Sequence, residues 1–243
     1  MPKASLIALL LGAVVLLTEI GVVPPGWRDL AFDLWETSSR SASPTGPNQP
    51  TSGREGAEGA AVAAALRQLP RIRVENEYAK GYSREDWPHW VDEDGDCINA
   101  RHEVLLSESE RAVEYSPDGC RILTGLWHDR FTGQVFLQAE DLDVDHLVPL
   151  AEAHRSGGFR WDRTVRAAFA NDLDDPRSLI AVGASVNRSK GDKGPEDWLP
   201  PEPIFVCEYV ANWVLVKARW NLSMDERERV AVANILEDCG PSS

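Results

Sequence analysis

Cysteine is scarce in this sequence, and no two cysteines lie close together. The four cysteines are at positions 97, 120, 207 and 239, without a Cys-x-x-Cys pair. This spacing argues against a structural zinc site, whose ligands usually come in such closely spaced pairs. In an oxidising compartment the four cysteines are expected to form two disulfides, for which three pairings exist.

A net positive charge is also lacking. The chain carries 25 basic and 39 acidic side chains, which gives a net charge of −14. Long-range repulsion therefore excludes tight binding of nucleic acid by charge alone. The acidity is concentrated in residues 82–145, with five basic and 16 acidic side chains, whereas residues 146–201 have eight of each. A local basic strip that acts with a divalent cation remains compatible with this distribution.

A long apolar run is present at the N-terminus. The run LIALLLGAVVLL has no polar side chain, but as a helix it would span only ~18 Å of a ~30 Å hydrocarbon core. Extending it to Val23 admits Thr18 and Glu19. No clean Ala-x-Ala cleavage site follows, so residues 1–23 are predicted to be either a secretory signal peptide or an uncleaved signal anchor that contacts the membrane. In both cases the rest of the chain is exported.

Large apolar residues are nearly absent from residues 38–60, which are rich in serine, proline and glycine. Such a segment cannot bury enough apolar surface to order itself. We therefore expect a disordered linker over residues 24–60 and one folded domain over residues 61–243. We expect this domain to be a monomer.

Two helical patterns lie near the C-terminus. Residues 204–219 and 224–238 are predicted to be helices, and Ser223 with Glu226 has the spacing of a capping box between them. An antiparallel pair of such helices would bring together two cysteines that are equally far from residue 223.

This helix pair selects one of the three disulfide pairings. Cys207 and Cys239 are the two cysteines at equal distance from the predicted turn. We therefore expect a disulfide between them, and Cys97 is then left to pair with Cys120.

The middle of the chain has an α+β pattern. Strands are predicted at residues 121–129, 133–138 and 178–186, and helices are predicted from residue 150 and over 162–170. Within this region the stretch DLDVDHLVP places three aspartates, Asp141, Asp143 and Asp145, directly before His146.

Two stretches resemble the HNH nuclease motif of the ββα-metal fold. They are DVDHLVP, residues 143–149, and SVNRSKGDKGP, residues 185–195. Over about residues 80–200 the chain is similar to exported bacterial HNH nucleases related to the C-terminal domain of GmrSD-type restriction enzymes. The stretches CINARHEVL, GLWHDRFTG and EDWLPP contribute to this similarity. The resemblance implies a ββα-metal core with added helices and the C-terminal antiparallel helix pair.

The resemblance also implies roles for individual residues. His146 takes the place of the general base that removes a proton from the attacking water. Asp145 and Asn187 take the places of the two protein ligands to Mg²⁺ or another divalent cation such as Mn²⁺. Ser178 stands where most relatives have an asparagine that supports the loop carrying the base, so the resemblance implies an altered support at this position.

The residue types suit this chemistry. Oxygen ligands bind a hard divalent cation, and a neutral imidazole can accept a proton from water. Three basic residues follow Asn187 closely and are expected to contact phosphates, namely Arg188, Lys190 and Lys193. Adjacent residues of a strand point to opposite faces, so Asp145 and His146 share a site only if the chain bends near them.

The stretch VDEDGDCINARHE contains a second candidate metal site. Asp92, Asp94, Asp96 and Glu103 occupy positions 1, 3, 5 and 12 of an EF-hand spacing for Ca²⁺. Cys97 occupies the sixth position, where the tight turn normally requires glycine. The glycine mismatch favours a solvated acidic loop over a calcium site.

The sequence thus predicts an exported, metal-dependent endonuclease that cleaves DNA with little sequence preference, and it leaves RNA open as a substrate. The alternative is an exported module of the same fold that binds nucleic acid or metal without catalysis, for which the change at Ser178 would be one reason.

Overall fold

The computed structural model describes residues 51–240. The predicted signal or anchor segment, residues 1–23, and most of the predicted linker lie outside this range. Helix α1 (Thr51–Gln68) begins before the predicted domain boundary, so residues 51–60 are helical and that end of the predicted linker is wrong. The alanine-rich stretch has high helix propensity, and Val62 and Ala65 anchor the helix in the core.

The described part of the chain has an α+β fold, as predicted. After α1 the helices are α2 (Ala100–Glu108), α3 (Leu150–Arg155), α4 (Arg163–Ala170), α5 (Ala184–Lys190), α6 (Pro203–Arg219) and α7 (Glu226–Asp238). The strands are β1 (Glu114–Tyr115), β2 (Ile122–His128), β3 (Val135–Gln138), β4 (Leu142–His146) and β5 (Leu179–Gly183). Strands β1, β2 and β3 form one antiparallel sheet, and β4 and β5 form a separate antiparallel pair.

Strand β5 lies between two hydrophobic cores. Leu179 and Ala181 face a smaller core that includes α2 and β2, whereas Ile180 and Val182 face the main core. Because successive side chains of a strand point to opposite faces, this placement requires an apolar residue at every position. It explains the uninterrupted run LIAV in the sequence.

The predicted strand over residues 178–186 is too long. The strand ends at Gly183, and α5 begins at Ala184. As part of α5, Val186 packs against the main core. The change from strand to helix places Asn187 and Arg188 on a short helix directly after β5.

Asparagine or aspartate side chains cap the starts of three helices. Asn99 begins α2, Asp162 begins α4 and Asp225 begins α7, and each accepts a hydrogen bond from a backbone N–H of the first turn. The predicted cap at Ser223 is therefore wrong, because Ser223 Oγ donates instead to the carbonyl of Ser156, 2.9 Å away. The helix itself is where the sequence places it.

Both disulfides have the predicted pairing. Cys97 is bonded to Cys120, and Cys207 is bonded to Cys239. The second bond joins the early part of α6 to the end of α7, so the two packed helices run antiparallel. None of the helices within residues 51–240 is long and apolar enough to span a membrane.

Candidate active site

A cavity of about 710 Å³ opens where strand β4 ends and helix α5 passes. The polar side chains on its wall include Tyr82, Arg84, Asp145, His146, Arg155, Asn187 and Arg188. Four parts of the chain therefore contribute to one space, namely the end of β4, helix α3, helix α5 and the segment before α2. His146 is the last residue of β4, and both it and Asp145 reach the cavity although they are adjacent in the strand.

The imidazole of His146 is held in one orientation. Its Nε2 lies 2.9 Å from the carbonyl oxygen of Ala170, at the end of α4, and Trp90 stacks on the ring with centroids 5.3 Å apart. A carbonyl only accepts, so Nε2 carries the proton and Nδ1 is the basic nitrogen of the neutral ring. Burial, and to a smaller extent the nearby charge of Arg84, lower the pKa of His146 to about 3, although the bond to Ala170 opposes this shift.

Asp145 is buried and lies against a buried lysine. Lys190 Nζ is 2.7 Å from Asp145 Oδ2 and donates a hydrogen bond to the carbonyl of His146 at 3.1 Å. Lys190 is the only polar partner of this buried oxygen within the described residues. Burial raises the pKa of Asp145 and lowers that of Lys190, while the opposite charge of each partner counteracts the shift.

Asn187 is oriented by a second aspartate. Its Nδ2 donates to Asp143 Oδ2 at 3.1 Å, which leaves its Oδ1 as an acceptor. Asp145 and Asn187 therefore bring a carboxylate and an amide oxygen to the same cavity. Such an all-oxygen donor set fits a hard divalent cation such as Mg²⁺.

The three basic residues predicted to contact phosphates have different surroundings. Arg188 is exposed and lines the cavity. Lys190 is fully buried against Asp145, so the prediction that it contacts phosphates is wrong. Lys193 is exposed, but it lies outside the cavity wall and donates to the carbonyl of Ser189.

Ser178 supports a loop rather than the ring of His146. Its hydroxyl donates to Asp172 Oδ2 at 2.8 Å, and its carbonyl accepts from the N–H of Leu147 at 3.0 Å. Asp172 also accepts hydrogen bonds from Arg219 and from Trp220. These contacts brace the segment between α4 and β5, which directly follows Ala170, whose carbonyl orients His146.

Several site residues have no sequence signal of their own. Arg84, Arg155 and Tyr82 line the cavity, and Trp90 packs on His146. Tyr82, Arg84 and Trp90 lie far from the motif in the sequence, and only the folded chain brings them to it, whereas Arg155 follows the motif on α3. Trp90 has a positive φ of 59°, which is rare for a bulky residue and is often found at functional sites.

The acidic loop before α2 is a separate feature. Side-chain oxygens of Asp92, Asp94 and Asp96 lie within 4.8 Å of one another, and all three residues are exposed. Cys97 adopts a φ of 76°, so it takes the left-handed conformation that glycine usually supplies at this point. Burial and the charges of these three aspartates raise the pKa of Glu103. The loop is a clustered acidic surface away from the cavity.

Comparison with known proteins identifies a family. The family model described as "GmrSD restriction endonucleases, C-terminal domain" matches residues 100–235. The chain is also 40% identical over 160 residues to an "Uncharacterized secreted protein" of Arthroderma benhamiae, and this match covers 65% of the chain and 76% of that protein. No solved structure gives a significant match.

Proposed function

Because the chain belongs to the family of GmrSD restriction endonuclease C-terminal domains, we propose that it is an exported, metal-dependent endonuclease that hydrolyses phosphodiester bonds of DNA. The family supports a nuclease-like function. The secreted relative and the two disulfides fit an extracellular protein. Neither the choice of DNA over RNA nor the low sequence preference follows from the family, and both are part of the proposal.

One observation carries this proposal. His146, Asp145, Asn187 and Arg188 come from two different elements and meet on the wall of a single cavity. This set contains a base, two oxygen ligands for a metal ion and a positively charged guanidinium, and these groups suit the hydrolysis of a phosphodiester. In the proposed assignment β4, β5 and α5 are the ββα-metal core of the fold.

His146 acts as the general base in this account. The Ala170 carbonyl holds Nε2–H, so Nδ1 can take a proton from a water molecule in the cavity. Burial keeps the ring neutral, which leaves Nδ1 free to accept. The negative charge of an incoming phosphodiester would raise the pKa of His146 and so strengthen it as a base.

Asp145 and Asn187 would hold the cation, which is Mg²⁺ or a similar ion such as Mn²⁺. When bound, the cation neutralises charge on the phosphate and on the departing oxygen. Asp143 keeps the amide oxygen of Asn187 available by accepting from its Nδ2. Lys190 Nζ lies 2.7 Å from Asp145 Oδ2, so Oδ1 is the oxygen that would bind the cation.

A module without catalysis is the second candidate. The ion pair between Lys190 and Asp145 favours it, because the ammonium already neutralises the carboxylate that a cation would need. In this account the chain binds nucleic acid or metal and leaves the phosphodiester intact.

Incubation of the purified protein with supercoiled plasmid tests the proposal. With Mg²⁺ or Mn²⁺ the plasmid should become nicked and then linear, and EDTA should stop the reaction. A parallel incubation with RNA determines whether cleavage extends to that substrate. Intact plasmid at every Mg²⁺ concentration would favour the module without catalysis, and cleavage that persists in EDTA would exclude the metal-dependent mechanism.

A further inference from the structure

Three arginines line the cavity, and they differ in what their charges contact. Arg155 lies 2.7 Å from Asp192, 2.9 Å from Glu152 and 3.3 Å from Glu77. Its guanidinium is therefore surrounded by carboxylates of the protein itself, which raise its pKa although burial lowers it. Arg155 has little charge left to offer a ligand.

Arg84 and Arg188 are different. Both are exposed, and within residues 58–240 neither has a carboxylate within ion-pair distance. The polar neighbour of Arg84 is the hydroxyl of Tyr82, which is neutral and does not cancel its charge. Arg84 and Arg188 are thus two open guanidinium groups on the wall of one cavity.

The backbone at Arg84 is held in place. Arg84 begins a short 3₁₀ turn, Arg84–Asp86, which the following Trp87 anchors in the main core. The N–H of Trp87 donates to the carbonyl of Arg84 at 3.1 Å. The side chain of Trp87 is fully buried, so the turn cannot move far from the cavity wall.

We propose that Arg84 binds a phosphate of the nucleic-acid strand that enters the cavity, as the partner of Arg188. The inference rests on the proposed function and adds a residue that lies before residues 100–235, the part of the chain matched by the family model. A guanidinium donates two parallel hydrogen bonds to a phosphate, and two open guanidiniums hold a strand in one direction across His146. In an acidic protein these two side chains supply the local positive charge that the chain as a whole lacks.

The salt dependence of binding separates this role from a structural one. Each phosphate contact releases counterions, so its loss lowers the slope of log affinity against log salt by about 0.9 for duplex DNA and about 0.7 for a single strand. A variant that merely loosens the fold loses affinity without this change of slope. The slope therefore reports a direct contact.

The experiment measures binding of fluorescein-labelled duplex and single-stranded oligonucleotides by anisotropy, with Mg²⁺ and from 50 to 200 mM salt. All proteins carry His146→Ala so that the probe stays intact. Arg84→Ala should weaken binding about tenfold at 0.1 M salt and lower the slope by nearly one. Arg84→Lys should retain the slope because the charge is kept, while it recovers only part of the affinity.

Two control variants complete the design. Arg111→Ala removes an exposed arginine away from the cavity and should change neither the affinity nor the slope. Arg155→Gln should lower the melting temperature, because Glu77 and Asp192 lose their ion pair with Arg155 and Glu152 keeps only Lys217, and it should leave the slope unchanged.

An unchanged slope and affinity in Arg84→Ala, with a reduced slope in Arg188→Ala, would overturn the role of Arg84. A parent protein that binds neither probe would overturn both this role and the proposed function. If wild-type protein leaves plasmid intact but the Arg84 slope effect is present, the phosphate contact stands and the nuclease proposal fails. The two claims are therefore tested separately.

Discussion

The three aspartates before His146 have different surroundings. Asp141 is exposed at the end of a 3₁₀ turn, Asp143 holds the amide of Asn187, and Asp145 is buried beside Lys190. Only Asp145 lines the proposed active-site cavity. The three aspartates of this run therefore have different contacts, and we expect them to have different roles.

This division predicts graded effects of substitution. Asp145→Ala should slow cleavage by more than about 100-fold, because it removes a cation ligand, and Asp143→Asn should cost about tenfold through the position of Asn187. Asp141→Asn should change the rate less than about twofold, since its side chain is in solvent. Initial rates over a Mg²⁺ titration measure all three, and equal losses would show that the aspartates act as one site.

At this scale the sequence predicts residue types better than surroundings. The motif spacing places His146, Asp145 and Asn187 in one cavity, as the resemblance implies. The burial of Lys190 could not be predicted, because a lysine in the polar stretch after Asn187 is expected at the surface. Only the packing of α5 against β4 buries it. The helix α5 turns its last residue inward, and an ion pair with Asp145 offsets the cost of burial.

At the scale of elements, one buried lysine links three helices. Lys217 of α6 donates to Glu152 of α3 at 2.7 Å and to Glu228 of α7 at 2.6 Å. Ser156 Oγ and the Ser223 carbonyl complete its contacts. Because α3 directly follows strand β4, this cluster ties the C-terminal helix pair to the cavity.

Removal of the ammonium should therefore be costly. Lys217→Met leaves the buried Glu228 without a cation and Glu152 with Arg155 alone, and the free energy of unfolding should fall by about 3–5 kcal/mol. The exposed Lys193→Met serves as the matched control and should change it by less than about 0.5 kcal/mol. Urea denaturation provides the measurement, and a loss below about 1 kcal/mol for Lys217→Met would mean that the cluster is solvated.

A carboxylate outside this cluster makes the unfolding free energy depend on pH. Glu108, at the end of α2, accepts a hydrogen bond from the Ala181 N–H of β5 at 3.1 Å. Burial raises its pKa from 4.5 to about 7, although this hydrogen bond opposes the shift. The folded state then binds an extra proton between these two values, so the contribution of Glu108 to stability is fully present at low pH and is lost as pH rises through about 7.

Glu108→Gln should remove this dependence. The amide cannot ionise and still offers an oxygen to Ala181. The unfolding free energy of the variant minus that of wild type should rise by about 1–3 kcal/mol from pH 5 to pH 8. This is less than the full pKa difference would give, because Glu108 is only half-buried and solvent screens its charge. Urea denaturation at both pH values measures the gain, with the exposed Glu237→Gln as control, and parallel pH curves for wild type and Glu108→Gln would contradict the shift.

Element positions follow from the sequence where pattern and packing agree. Strands β2 and β3 and helices α4, α6 and α7 lie close to their predicted places because each has a regular apolar pattern or a cap. The end of β5 could not be placed, since its run of apolar residues continues into α5. The core contacts of Val186 decide that boundary, and they are visible only in the folded chain.

At the scale of the whole molecule, two disulfides close different regions. Cys97–Cys120 spans 23 residues and joins the acidic loop to the segment before β2, whereas Cys207–Cys239 spans 32 residues and joins α6 to α7. Their pairing is accessible from the sequence because the turn between two helices makes two cysteines equidistant. The resemblance covers the fold in outline, while the contacts of the cavity required the structure.

Each disulfide should stabilise the domain by about 3–4 kcal/mol, because it restricts the unfolded chain over loops of similar length. Cys97→Ser with Cys120→Ser, and separately Cys207→Ser with Cys239→Ser, should each lower the unfolding free energy by this amount. Chemical denaturation measures the loss. Peptide mapping that found Cys97 bonded to Cys207 or Cys239 would contradict the pairing.

The proposed function depends on His146 as the general base of a metal-dependent nuclease. Its most direct test is the single-turnover rate of plasmid nicking by wild type and His146→Ala at saturating Mg²⁺, with the exposed His128→Ala as control. The rate should fall about 10²–10⁴-fold in His146→Ala, with Mg²⁺ binding nearly retained, and should stay at the wild-type value in His128→Ala. Nicking by His146→Ala at a rate near that of wild type would contradict the central claim.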